Sequence, residues 1–242
     1  MTATLFLSDL HLSPERPAAL AAFDAFAAGP ARAAAAVYIL GDLFDWWIGD
    51  DQMADPFVAS VVAALRGISA AGVPLFVGHG NRDFLLGERF AHATGAALLP
   101  DFVVIDLHGA RTLLCHGDEL CTDDAEYQAY RARMRDPVTQ ARLLRLPYFA
   151  RRGLAWWLRR KSRNEKALKP ESIMDVATGA VVAAFARHDA RRMIHGHTHR
   201  PARHEHMVDG SLRERFVLAY WHDSGHYLAV DGTGVHVREI SA

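Results

Sequence analysis

The sequence predicts an α/β protein built on two sheets, with helices packed against them and a separate helical segment inserted in the middle of the chain. Three observations predict it. Short apolar runs alternate with Ala-rich amphipathic stretches, the runs near the C-terminal end alternate with no helix between them, and residues 123–170 interrupt the pattern with Arg-rich, aromatic helical text.

Thr4 to Ser8 reads as the first buried strand, and Ala18 to Ala28 as the helix that follows it. Ala36 to Leu40 is the second strand. Pro56 to Ala71 is a helix because Phe57, Val61, Val62, Leu65 and Ile68 recur on one face. Val73 to Val77, Phe102 to Leu107, Arg111 to Cys115 and Met193 to His195 are further strands, each running directly into Gly or His. This alternation describes βαβ units. Phe216 to Tyr220, Tyr227 to Val230 and Val235 to Arg238 then alternate alone, with Asp231-Gly232-Thr233-Gly234 as a tight turn, and predict a second, partly antiparallel sheet. Residues 123–170, broken at Pro137 and Pro147, read as an inserted helical cap, leaving 1–122 and 171–242 as the core.

With 242 residues, 50% of them hydrophobic, the chain can bury a full core without a second catalytic domain. Its first residues lack a basic region and the opening apolar run stops at Asp9, so no secretory signal is expected and the protein is expected to stay inside the cell. The longest apolar stretch, Pro17 to Val37, is broken by Asp24, Gly29, Pro30 and Arg32, so any membrane contact is expected to be peripheral. Two cysteines, Cys115 and Cys121, suit reduced thiols rather than a disulfide framework. The formal charge of −1 hides an asymmetry: from Arg131 to Lys169 there are thirteen Arg or Lys and two acids, so this stretch carries +11 and the remainder −12. An acidic remainder suits a cation centre, and a basic segment interleaved with aromatics suits an anionic partner.

Five polar clusters follow the apolar runs: Ser8-Asp9-Leu10-His11, Gly41-Asp42, Gly80-Asn81-Arg82-Asp83, His116-Gly117-Asp118 and Gly196-His197-Thr198-His199. Taken singly, each is an ordinary turn, since Asp and Asn cap helices and form Asx turns. Five in this order, each at a strand end, point to a two-metal site, because strand ends deliver ligands to one edge of a sheet. Two divalent ions about 3.5 to 4 Å apart need a bridging carboxylate and terminal ligands on each side. Asp9 and His11 can reach one ion, Asp42 can bridge, and Asn81 and His116 can complete the other, with His197 and His199 dividing between them. Carboxylates, imidazoles and an amide oxygen together favour Mn²⁺, Fe²⁺, Co²⁺ or Zn²⁺ over Ca²⁺ or Mg²⁺, and Mn²⁺ is the first choice. His195 is read as orienting a ligand.

These blocks resemble the calcineurin-like metallophosphoesterase superfamily, with its D-x-H, G-D, G-N-H-[DE], H and G-H-x-H pattern. The resemblance implies a sandwich of two mixed β-sheets flanked by helices. The sequence departs at one position, where Arg82 stands in place of the superfamily's His after Gly-Asn. That His is associated with a proton near the leaving group, and arginine cannot donate one at any useful pH. The leaving group should therefore need no proton, as with phosphate leaving a pyrophosphate, and the guanidinium would clamp phosphate oxygens.

The longer strings Gly-Asp-Leu-Phe-Asp-Trp-Trp-Ile-Gly-Asp-Asp, His-Gly-Asn-Arg-Asp-Phe-Leu-Leu-Gly, Cys-His-Gly-Asp-Glu-Leu-Cys-Thr-Asp-Asp and Ile-Met-Asp-Val are similar to the UDP-2,3-diacylglucosamine hydrolase family, from Thr4 to about Val237. That resemblance implies Mn²⁺-dependent attack on the α-phosphorus of UDP-2,3-diacylglucosamine, releasing UMP and 2,3-diacylglucosamine 1-phosphate (lipid X) in lipid A synthesis. It implies two Mn²⁺ per chain, one on Asp9, His11, Asp42 and His199, the other on Asp42, Asn81, His116 and His197. It also implies catalytic roles for Asp9, His11, Asp42, Asn81, Arg82 and His116, and substrate contacts at Asn81, Arg82, Asp124, Ser162, Lys166, Lys169 and His197, with Asn164 the alternative to Lys166. The implied location is the cytoplasmic face of the bacterial inner membrane. The segment containing Leu143, Leu144, Tyr148, Phe149, Trp156 and Trp157 among arginines reads independently as a surface for acyl chains and anionic lipid. The alternative is another metallophosphoesterase, such as a nuclease or cyclic-nucleotide phosphodiesterase, or a scaffold with a relic metal site. Arg82 and the Leu- and Trp-rich cap argue against nucleic acid, and no metal-ligand position is missing.

Overall fold

The computed structural model describes residues 2–166, 175–222 and 224–241, apart from the side chains of 159–166. In the first sheet β1 (Thr4–Leu7), β2 (Ala36–Ile39), β3 (Leu75–Val77) and the two-residue β4 (Ala97–Leu98) run parallel in that order. On the other side of β1 the hairpin of β10 (Gly225–Asp231) and β11 (Gly234–Ile240) adds antiparallel strands. The second sheet orders β5 (Val103–Leu107), β6 (Ala110–Leu114), β7 (Arg192–His195), β9 (Ser211–Val217) and β8 (Ala202–Val208). Both sheets are mixed.

The two-residue period of a strand sends alternate side chains to opposite faces, and that divides the core into layers. Leu5 and Leu7 of β1 and Val37 and Ile39 of β2 face the helices α1 (Pro17–Ala28) and α2 (Pro56–Ala70). Their neighbours Phe6 and Tyr38 turn the other way and meet Leu114 and Ile194 from the second sheet. Tyr38 stacks between Phe6 and Phe76, with ring centroids 5.1 and 4.5 Å away. Leu113 and Met193 point outward to α7 (Thr178–His188) through Val181 and Phe185. The order is therefore helix, sheet, sheet, helix. In α2 Val58, Val61, Leu65 and Ile68 are all buried, each worth about 1.5–3 kcal/mol. Asp55 caps that helix by accepting from the Phe57 and Val58 amides, and Pro56 follows where no donor is needed.

The late strands correct the sequence reading. They do not make a sheet of their own: β9 joins β7 and β8, while β10 and β11 extend the first sheet. The strand read as Phe216 to Tyr220 ends at Val217 and starts at Ser211. The sequence reading also passed over β8, whose residues are mostly exposed, the short α3 (Glu88–Thr94) and α7, although α7 carries a buried stripe of Val181, Ala184 and Phe185. The Asp231 to Gly234 turn is the β10–β11 hairpin, as read. Between residues 123 and 170 lie α4 (Ala125–Arg135), α5 (Pro137–Leu144) and α6 (Tyr148–Lys166). Pro137 opens α5 behind the cap Asp136, and Pro147 precedes α6. No helix among the described residues is long and apolar enough to cross a membrane. Trp47 is buried against Phe44 and Phe90, a packing role.

Candidate metal centre

Five strands stop at one edge, and the loops that follow β1, β2, β3, β6 and β7 carry Asp9 and His11, Asp42, Asn81, His116, and His197 and His199. Beyond the strand ends, backbone bonds continue: Asp9 N to Gly41 O at 3.1 Å and His11 N to Asp42 O at 2.9 Å. The chain then bends sharply. Asp9, His11, Asp42, His197 and His199 all have positive φ, between 46° and 69°, a region that non-glycine residues seldom adopt. Such strain concentrates where side-chain direction matters more than backbone comfort.

Asp83 is the organiser that the sequence reading passed over. Its fully buried carboxylate accepts from the amides of Asp42 (3.2 Å), Leu43 (2.7 Å), Phe44 (3.4 Å) and Gly80 (2.7 Å), so it ties the Asp42 loop to the Asn81 loop. Its place at the end of Gly80-Asn81-Arg82-Asp83 was the available signal. Gly41 is required by close approach: at φ 97° an added Cβ would sit 2.6 Å from Gly80 N and 2.8 Å from His116 Nδ1.

The donors converge in two groups that share Asp42. In the first, His11 Nε2 lies 3.4 Å from His199 Nε2, 3.5 Å from Asp42 Oδ2 and 3.9 Å from Asp9 Oδ1, and His199 Nε2 lies 3.3 Å from Asp9 Oδ1. In the second, Asn81 Oδ1 lies 3.3 Å from His116 Nε2 and 3.1 Å from His197 Nδ1, and His116 Nε2 lies 3.8 Å from Asp42 Oδ2. His116 donates from Nδ1 to the Leu40 carbonyl at 2.9 Å, which aims Nε2 into the centre, as carbonyls behind metal-ligating histidines do. Tyr220 stacks on the His199 ring at 4.5 Å and Arg16 lies over Tyr220.

The residues fit a pair of divalent cations. Asp9 Oδ1 is buried with no aligned hydrogen bond, although two imidazole nitrogens stand within 4 Å of it. Asp9, Asp42 and Asp83 are three buried carboxylates around one small volume, a repulsion that cations would relieve. Burial pushes Asp42 up to about 7; the charge on His116 opposes the rise, and Asp83 and Asp9 add to it. Burial alone would depress His116, but Asp42 and Asp9 outweigh it and lift its pKa to about 9. Asp9 moves the other way: its contact with His199 and the charges of His116, His199 and His11 overcome burial and hold it low. Burial, as the largest cause, takes His11 well below the usual imidazole range.

Arg82 stands beside the second group. Its amide donates to Asp42 Oδ1 at 2.8 Å, and its half-buried guanidinium pairs with Asp45 at 3.5 Å. Asp124 caps α4 by accepting from the Tyr127 amide at 3.0 Å. The side chains of Ser162, Asn164 and Lys166, and the whole of Lys169, lie outside the described residues. His195 is buried and bonds to Gly196 O and to Arg215, so it supports the loop that carries His197. Behind His116, Asp118 accepts from Tyr127 Oη at 2.7 Å and from Arg131 Nε at 3.0 Å, tying α4 to the centre; the sequence reading placed Asp118 in a cluster but gave it no role.

A family model for calcineurin-like phosphoesterases matches residues 3–201. The chain is similar to a UDP-2,3-diacylglucosamine hydrolase of Escherichia coli O81 (strain ED1a), 48% identical over 235 residues that cover 97% of this chain and 98% of the relative. It is equally similar to the protein of that name from Shigella sonnei (strain Ss046), with the same identity and coverage. Among solved structures, an archaeal phosphodiesterase aligns over 99% of each chain at TM-score 0.47 and 14% identity.

Proposed function

We propose, on the premise that this chain belongs to the calcineurin-like phosphoesterase family, that it hydrolyses the pyrophosphate bond of UDP-2,3-diacylglucosamine at the α-phosphorus, giving UMP and 2,3-diacylglucosamine 1-phosphate. The observation that carries this reading is Arg82 beside Asn81, at the rim of seven converging donors. The substrate comes from the name of the relatives that share 48% of the sequence.

Asp9, His11, Asp42 and His199 would hold one Mn²⁺, and Asp42, Asn81, His116 and His197 the other. When bound, a pair of divalent ions polarises the phosphoryl oxygens and supplies an activated water. The chain's own residues do the rest. Arg82, steadied by Asp45, holds phosphate oxygens in the fork of its guanidinium and balances the charge that gathers on the departing sugar phosphate. That leaving group takes no proton, so a residue that cannot give one suffices. Asp124, Ser162, Lys166 and Lys169 are the proposed further contacts, placed along residues 123–170, which would act as the cap over the acyl chains.

Peripheral attachment to an anionic inner-membrane face is part of the same reading. Phe149, Trp156 and Trp157 of α6 are 77%, 63% and 54% exposed, an arrangement suited to a lipid surface rather than to water. The direct test incubates purified protein with Mn²⁺ and UDP-2,3-diacylglucosamine and follows phosphorus NMR, with an aryl phosphodiester beside it. UMP from the first and little product from the second is the expected result. Cleavage of the diester at a comparable rate would overturn the pyrophosphate assignment.

A further inference from the structure

A second concavity lies against β8 and β9, separate from the convergent donors described above. Its volume is about 200 Å³, and its walls include Asp175, Thr198, Arg200, His204 and Arg215. Since one water occupies about 30 Å³, there is room for a small ion with part of its hydration. His204 and Arg215 are direct cross-strand partners, so their side chains rise from the same face.

Arg215 is the unusual member. It is only 6% exposed, yet no carboxylate among the described residues pairs with it. Its Nη1 meets His195 Nε2 at 3.0 Å and its Nε meets His206 Nε2 at 3.2 Å. An arginine only donates, so both imidazoles accept and neither supplies negative charge. Burial lowers its pKa, with Asp175 only partly opposing the shift. The oxygens of Asp175 are already engaged, Oδ2 by Arg200 Nη1 at 3.0 Å and Oδ1 by the Val176 amide at 2.7 Å. Thr198 adds a buried hydroxyl with no hydrogen-bond partner among the described residues. A buried guanidinium held in place by neutral acceptors, with a buried hydroxyl lacking a hydrogen bond in the same wall, has no ion-pair partner among the described residues.

We propose that this cavity binds a small tetrahedral oxyanion of the phosphate class, held by Arg215 and Arg200 with the Thr198 hydroxyl and the His204 imidazole. A tetrahedral anion offers acceptors in several directions, which matches donors on different walls better than the planar pair of a carboxylate. The cavity shares Thr198 with the loop that carries His197 and His199, so occupancy there bears on the metal centre next door.

Calorimetric titration of the Mn²⁺-loaded protein with inorganic phosphate tests the assignment. The wild type is expected to bind two equivalents, one at the metal centre and one in the cavity. Arg215→Gln should remove the cavity equivalent, and Arg200→Ala, at an exposed position that leaves folding intact, should weaken it about tenfold. Both should keep the equivalent at the metal centre. Asp42→Ala should do the reverse, so failure of the metal assignment and failure of this one give different patterns. Glucose 1-phosphate run in parallel tells a free ion from the phosphate of a larger molecule, and tighter binding of either supports the cavity and identifies its source. A single equivalent in the wild type, or a second equivalent unchanged by both arginine substitutions, would overturn the proposal.

Discussion

At the scale of single residues, the centre depends on side chains held in an uncomfortable backbone. A non-glycine residue at positive φ costs on the order of 1–3 kcal/mol, and Asp9, His11, Asp42, His197 and His199 all sit there. Asp42 stands between both donor groups, so a shared carboxylate would offset the repulsion of two dications. Asp42→Ala should abolish turnover; retention of more than about a tenth of kcat at saturating Mn²⁺, a loss below ~1.4 kcal/mol, would remove its bridging role. The thiols offer a second check. Burial pushes Cys115 up and takes Cys121 to about 12, so neither forms thiolate at neutral pH. Iodoacetamide should leave both unmodified in the native protein at pH 8, and stoichiometric labelling within minutes would contradict that. All seven donor residues were legible in the sequence because polar residues after apolar runs mark strand ends. Asp45 and Tyr220 were not, and Asp83 was visible only as the end of its cluster, since what they do depends on which loops meet.

At the scale of elements, α4 is joined to the centre by charge rather than by apolar packing, and it has no buried residue. Arg131 bonds Asp118 at 3.0 Å and Asp101 at 2.8 Å, and Asp118 is fully buried. Removing one partner of a buried pair costs about 3–5 kcal/mol because the other charge stays behind. Arg131→Met should therefore lower stability by roughly 3 kcal/mol in urea and speed hydrogen exchange in α4; a change under about 1 kcal/mol would mean that the helix is held otherwise. For α6, Trp157→Asp should raise KM for the diacylated substrate far more than for a deacylated UDP-glucosamine analogue. Equal effects on the two would leave no acyl role for that face. Helix α2 was readable to within a residue because its apolar stripe is strong, whereas β8 was missed because five of its seven residues are exposed and give no alternation. The sheet to which each late strand belongs is a matter of long-range pairing, which no local pattern encodes.

At the scale of the whole molecule, charge is divided: +11 between Arg131 and Lys169 against −12 elsewhere. If the basic side docks on anionic lipid, each side chain near the surface adds about 1 kcal/mol, and salt weakens it as the Debye length shrinks. Co-sedimentation with vesicles containing phosphatidylglycerol should fall steeply between low and high salt, and salt-independent binding would count against the membrane assignment. The pairing of β1 with β10 reaches further still. Thr4 lies opposite Val230, so two strands far apart in the chain are held against each other. At roughly 5–20 residues per second, a ribosome needs about ten to fifty seconds to deliver that partner. During this interval β1 is an unprotected sheet edge, and the loop bearing Asp9 and His11 has no finished sheet beneath it. A chain that stops at Tyr220 lacks β10 and β11, and it should be digested by trypsin far faster than the full protein and bind no Mn²⁺. Resistance equal to that of the full chain would show that the sheet closes without its last hairpin. Until that hairpin arrives, the outer edge of β1 stays open, so the loop bearing Asp9 and His11 waits for its support on a strand that lies far along the chain.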